Sequence, residues 1–175
     1  MNERTLTWPD GSVYQITRST QETAGEFLEM EWRLPPGGWA PGAHVHEVQT
    51  EEYAVLEGSV DVRLGDEWQT IAKGESAAVP PGTVHTFRVG ADGLTLRNTH
   101  RPALDFEPHI RMLNATYNER RLGNGQGLRA LVYTVLVLRR YPQSSQAPNA
   151  ALKAAIPILA AVGRVLRMRP VEPRS

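Results

Sequence analysis

The spacing of turn signals constrains this chain most. Between residues 5 and 100, proline- and glycine-bearing turns recur so often that only short strands fit between them. Residues 6–16 read as a hairpin, with Pro9-Asp10-Gly11 supplying the turn. In residues 28–34, Leu28, Met30, Trp32 and Leu34 alternate with Glu29, Glu31 and Arg33, which marks a strand with one buried face. Residues 60–64 and 68–72 flank Gly65-Asp66-Glu67 as a second hairpin. Residues 76–79, 84–89 and 94–99 complete the series, separated by Pro80-Pro81-Gly82 and by the stretch from Gly90 to Gly93. Many short strands at this spacing predict a mainly β fold, an antiparallel sandwich or barrel.

After residue 101 the texture changes. Residues 103–116, 128–141 and 150–167 read as helices. In the last, Leu152, Ile156, Leu159, Val162, Val165 and Leu166 recur at helical spacing, while Pro157 threatens a kink. Val132, Val135 and Val137 in the middle segment equally suit a strand. The expected organisation is a barrel over residues 1–100 and a helical extension over 101–175 that packs on it within one domain. Charge divides at the same place. Residues 1–100 carry 7 basic and 15 acidic side chains, whereas residues 101–175 carry 12 basic and 4 acidic ones. The two parts are therefore expected to attract each other. The extension is expected to dock over the barrel mouth as a lid. A homodimer contact and a peripheral membrane contact through residues 156–168 are the alternatives.

The bulk properties exclude several function classes. Zero formal net charge gives no global basic field for nucleic acid. With no cysteine there is no disulfide, thiolate metal site or cysteine nucleophile. The N-terminal stretch lacks an apolar signal core, and no apolar run approaches the roughly 18 residues of a transmembrane segment. The expectation is a cytoplasmic protein.

Two stretches carry chemistry. In the first, His44 and His46 stand two apart, so on a strand both imidazoles leave one face. Glu51 stands an odd number of residues beyond His46, so a bend over residues 47–50 must intervene, after which Tyr53 and Val55 share its face. In the second, Pro81-Gly82 suits a type II turn that launches a strand with His85, Phe87 and Val89 on one face. Three imidazole nitrogens and a carboxylate suit one divalent transition metal ion, whether Fe, Mn, Co, Ni or Zn. Glu52, next to Glu51, points the other way. His100 has the phase to point inward, and His109 is expected to be a surface or packing residue.

These stretches resemble the paired motifs of the cupin superfamily, in its single-domain cupin 2 type with a C-terminal helical extension. The first motif, over residues 38–58, is met by Gly38, His44, His46, Glu51 and Gly58. The second, over residues 74–89, is met by Gly74, Pro80, Gly82 and His85, but Val89 stands where the family usually has asparagine. The resemblance implies a jelly-roll β-barrel with the metal at one end, held by His44, His46, Glu51 and His85, and it raises the expectation of a homodimer. The metal leaves open positions for a ligand, and Glu51 is a candidate catalytic base. Met30, Trp32, Tyr53, Phe87 and Val89 are the candidate substrate pocket, and their character points to a small, largely hydrophobic organic molecule. The expected activity is that of a dioxygenase. An isomerase or cyclase, and a metal-holding sensor or carrier without turnover, are the competing readings.

Overall fold

The computed structural model of the chain describes residues 4–123 and 125–173. Seven strands precede three helices: β1 (Thr5–Thr7), β2 (Val13–Arg18), β3 (Leu28–Leu34), β4 (Thr50–Leu64), β5 (Glu67–Ala72), β6 (Ser76–Val79), β7 (His85–Arg101), α1 (Phe106–Glu119), α2 (Leu128–Leu138) and α3 (Ala150–Val165). Every strand pairing is antiparallel. The order is β1-β2-β3-β7-β4-β5, with β6 paired to β4. The result is an antiparallel jelly-roll barrel followed by helices.

The two longest strands organise the barrel. β4 and β7 pair from Thr50 opposite Arg101 to Leu64 opposite His85. The first half of β4 also pairs with β6 and its second half with β5, so one strand serves two parts of the barrel wall. Residues 84–89 and 94–99, expected as separate strands, therefore belong to one. The physical reason lies in the glycines between them. The register jumps from Gly58 opposite Leu94 to Val60 opposite Val89, so the residues around Gly90 and Gly93 form a bulge rather than a chain reversal. A Cβ on Gly58 would lie 2.2 Å from the Gly93 carbonyl oxygen, an approach that glycine alone permits.

The alternation in β3 works as expected, with Leu28, Met30, Trp32 and Leu34 buried. Trp32 stacks on Tyr14 at 4.5 Å between ring centroids, and Tyr53, Phe87 and Leu96 fill the space behind it. Each such side chain contributes roughly 1.5–3 kcal/mol on full burial.

On α1, Phe106, Ile110, Leu113 and Tyr117 are buried at helical spacing, and Asn114 and Asn118 donate to the Thr7 carbonyl at 2.9 and 2.8 Å. The valine-rich segment is helical: Ala130, Tyr133 and Val137 join the core while Val132 and Val135 are also buried, so packing overrides the β preference of valine. Asn149 caps α3 by accepting from the Leu152 amide at 2.9 Å, and the helix continues through Pro157. Its apolar stripe does not form a conventional core face. Ala160 and Gly163 are the buried residues of α3, with the Gly163 backbone close against Val132 and Leu136 of α2. Val165 and Leu166 are exposed, while Leu152, Ile156 and Leu159 face a cavity. Among the described residues no helix is long and apolar enough to cross a membrane.

Candidate metal centre

His44 and His46 reach the site from a short bridged segment rather than from one of the named strands. The His44 amide and carbonyl pair with those of His85 at 3.0 and 2.9 Å, and those of Val45 pair with Gln146 at 3.1 and 2.8 Å. The His-x-His segment is thus held between the start of β7 and the loop joining α2 to α3. Glu51 follows the bend, one residue into β4, and His85 opens β7.

The fold brings these four residues together. One ligand atom from each of His44, His46, Glu51 and His85 lies within 4.8 Å of all the others. His46, Glu51 and His85 are buried and His44 is half-buried. Each imidazole has its Nδ1 beside a backbone carbonyl: His44 on Gly42 at 3.0 Å, His85 on Thr83 at 2.9 Å, and His46 on Ser144. A carbonyl only accepts, so each Nδ1 carries the proton and each neutral ring presents Nε2 as a lone pair. Backbone carbonyls acting this way orient metal-binding histidines.

Within the protein itself those lone pairs find no complement. His46 Nε2 is buried with no hydrogen-bond partner and stands 3.4 Å from Glu51 Oε2. His85 Nε2 faces the same oxygen at 2.8 Å. A neutral His85 that donates from Nδ1 to Thr83 has no proton left for Glu51, so a cation or an added proton is needed between them. The donor set therefore fits a divalent transition ion, with three neutral imidazole nitrogens and one carboxylate.

The titration behaviour follows from the same contacts. Burial lowers His44 to about 3, reinforced by the neighbouring His85 and His46. Burial pulls His85 down too, but the adjacent Glu51 carboxylate and the Thr83 carbonyl together outweigh burial, and its pKa is raised. Burial acts to raise Glu51, yet the neighbouring His100, His46 and His85 hold it well below the ordinary carboxylate range.

Two residues outside this cluster of four complete the surroundings of Glu51. Asn98 donates to Glu51 Oε1 at 2.8 Å, and His100 Nε2 lies 3.4 Å from the same oxygen. His100 points inward, is fully buried and stacks on Phe106 of α1 at 3.6 Å between centroids. Asn98 carries no motif signature in the sequence. Its only signal is its phase, which it shares with Leu96 and His100 on β7. Glu52 is exposed, as alternation required.

The site opens on a cavity of about 480 Å³ between the barrel mouth and the helices. His44 and Glu51 line it, as do Trp32 and Phe87 of the expected pocket. Met30, Tyr53 and Val89 are not among its lining residues, because Met30 and Tyr53 are consumed in the barrel core and Val89 packs against that core. The rest of the wall comes from residues the sequence did not single out for a site, including Trp39, Phe106, Ile110 and Leu138. His109 also lines the cavity and is 5% exposed, so it is no surface residue.

A family comparison agrees with this geometry. The Cupin_2 model, described as a cupin domain, matches residues 30–97. Quercetin 2,3-dioxygenase of Bacillus subtilis (strain 168) is 28% identical over 105 residues, which is 60% of this chain and 31% of the relative. The chain thus spans about a third of the length of the curated relative it matches. Among solved structures, TT1209 from Thermus thermophilus is 35% identical, over 45% of this chain and 75% of that one, with a TM-score of 0.42. The polyketide cyclase RemF from Streptomyces resistomycificus is 27% identical, over 52% of this chain and 64% of that one, with a TM-score of 0.45. The family match spans both histidine-bearing motifs, and their side chains converge on one point inside an antiparallel barrel, so the chain belongs to the cupin family.

Proposed function

We propose that this chain is a metal-dependent oxygenase for a small, largely apolar organic molecule, with the ion held by His44, His46, Glu51 and His85. The observation that carries the reading is the set of three imidazoles tied at Nδ1 to backbone carbonyls, turned toward one carboxylate beside an apolar cavity. A bound divalent ion supplies Lewis acidity, and electron-transfer chemistry if it is redox-active.

The chain's own residues do the remaining work. The cavity walls bind the organic molecule by apolar contact and exclude water. Within the ligand set, His44 and Glu51 face the cavity, whereas His46 and His85 lie behind them. Glu51 is therefore the carboxylate placed to accept a proton from a bound hydroxyl, with Asn98 and His100 fixing its orientation. The likeness to an enzyme named for dioxygenation of quercetin favours oxygen chemistry over isomerisation or cyclisation.

The test is oxygen consumption by the Fe(II)-loaded, full-length protein supplied with quercetin and simpler phenols. Consumption that depends on the phenol and disappears in His85→Ala supports the reading. Tight binding with no consumption under any metal replaces it with a carrier or sensor, and conversion without oxygen uptake replaces it with an isomerase or cyclase.

A further inference from the structure

The wall of the cavity is almost wholly apolar, and its polar groups are mostly engaged. Thr134 bonds the Ala130 carbonyl and the Tyr117 hydroxyl, Asn149 caps α3, and Gln146 donates to the Pro142 carbonyl. His109 is different. It sits one turn into α1, is 5% exposed, lines the cavity, and has no hydrogen-bond partner on either ring nitrogen. Its nearest rings are Phe106 at 5.7 Å and Tyr141 at 6.2 Å between centroids, which pack against it without meeting its polar edge. Trp32, on the barrel side of the same cavity, likewise keeps a buried indole N–H without an acceptor.

A buried imidazole with two unmet nitrogens is destabilising unless something else meets them. A leucine or phenylalanine there would pack as well without that cost. Burial also lowers His109 to about 3, so it stays neutral and presents one donor and one acceptor near neutral pH.

Taking the cavity as the ligand chamber proposed above, we infer that His109 is the specificity-determining polar contact of the site, hydrogen-bonding a hydroxyl or carbonyl oxygen on an aromatic ligand. The ligand class is a planar aromatic of about two or three rings with an oxygen substituent. Its apolar body fills the space between Trp32, Phe87 and the helices, and its oxygen meets α1. Trp32 supplies a second donor for a more heavily oxygenated ligand. No charge balances the ligand at this wall, so a neutral phenol or ketone is preferred to a carboxylate.

The experiment compares binding of 2-naphthol and 2-methylnaphthalene, which differ by a hydroxyl against a methyl group, to full-length protein, wild type and His109→Phe, by fluorescence titration. Thermal unfolding is measured without ligand. Wild type is expected to prefer the naphthol by about 10-fold or more, a preference that His109→Phe loses and His109→Gln retains. Ligand-free His109→Phe is expected to melt at or above the wild-type temperature. An unchanged preference in His109→Phe overturns the inference, as does a substantially lower melting temperature, which would make His109 a packing residue. If wild type binds neither probe while holding its metal, the chamber reading itself fails and takes the inference with it.

Discussion

Glu51 shows how much a single side chain in this site depends on others. One carboxylate oxygen faces His85 at 2.8 Å and the other accepts from Asn98 at 2.8 Å. Substituting Asn98→Leu frees Oε1 from its fixed donor, so metal affinity is expected to fall roughly 10- to 100-fold with the barrel still folded. Competition with a chromogenic chelator measures this. His109 makes a separate prediction. Its pKa is lowered to about 3, so between about pH 6.5 and 3 the unfolded chain binds a proton that the folded chain does not. Folding stability therefore declines through that window as pH falls, by about 1.4 kcal/mol per pH unit for this group. Urea melts of wild type and His109→Phe should diverge in slope there, the variant losing less on acidification. Parallel slopes would contradict it. At this scale the four clustered positions were legible because metal-binding chemistry would fix both their types and their spacing. Asn98 and His109 were not, because one acts through Glu51 and the other becomes a cavity residue only when α1 folds over the barrel.

Secondary-structure elements reveal a dependence the motifs do not contain. His46 is oriented by the Ser144 carbonyl, and the neighbouring Val45–Gln146 bridge holds that loop in place. The loop between α2 and α3 therefore belongs to the candidate metal centre, although it lies far beyond His46 in the chain. Gln146→Pro removes the amide that donates to the Val45 carbonyl at 2.8 Å. Metal affinity is expected to drop about 10-fold or more while circular dichroism retains the helices. Unchanged affinity would separate the loop from the site. Strand identity was readable from alternation in β3, where one face is buried throughout. In sequence, residues 84–99 read as two strands because glycine pairs usually signal reversal, and only the close packing of Gly58 on Gly93 shows that here they absorb a bulge. α2 was ambiguous because its valines suit either state until Ala130, Tyr133 and Val137 are placed in the core.

The division of charge along the chain is less consequential for the whole molecule than the sequence suggested. Lys153 and Glu47 pair at 3.2 Å across the two regions, but both are about half exposed, and such pairs contribute only about 0–1 kcal/mol. Buried apolar contacts of Phe106, Ile110, Leu113 and Tyr117 outweigh that pair. Added salt should therefore shift the melting temperature little, and Lys153→Ala should cost less than about 1 kcal/mol in a urea melt. Attachment by apolar burial also explains why helices and barrel enclose a cavity: α3 leaves Leu152, Ile156 and Leu159 turned toward it rather than into a closed core. The proposed function depends on the site holding an ion. The most direct measurement is element-resolved metal analysis of untagged protein, with Glu51→Ala and His85→Ala alongside. Close to one divalent transition ion per chain in wild type, lost in both variants, is the result this account predicts. A wild-type protein that takes up no metal even on reconstitution, or variants that keep the wild-type content, would contradict it.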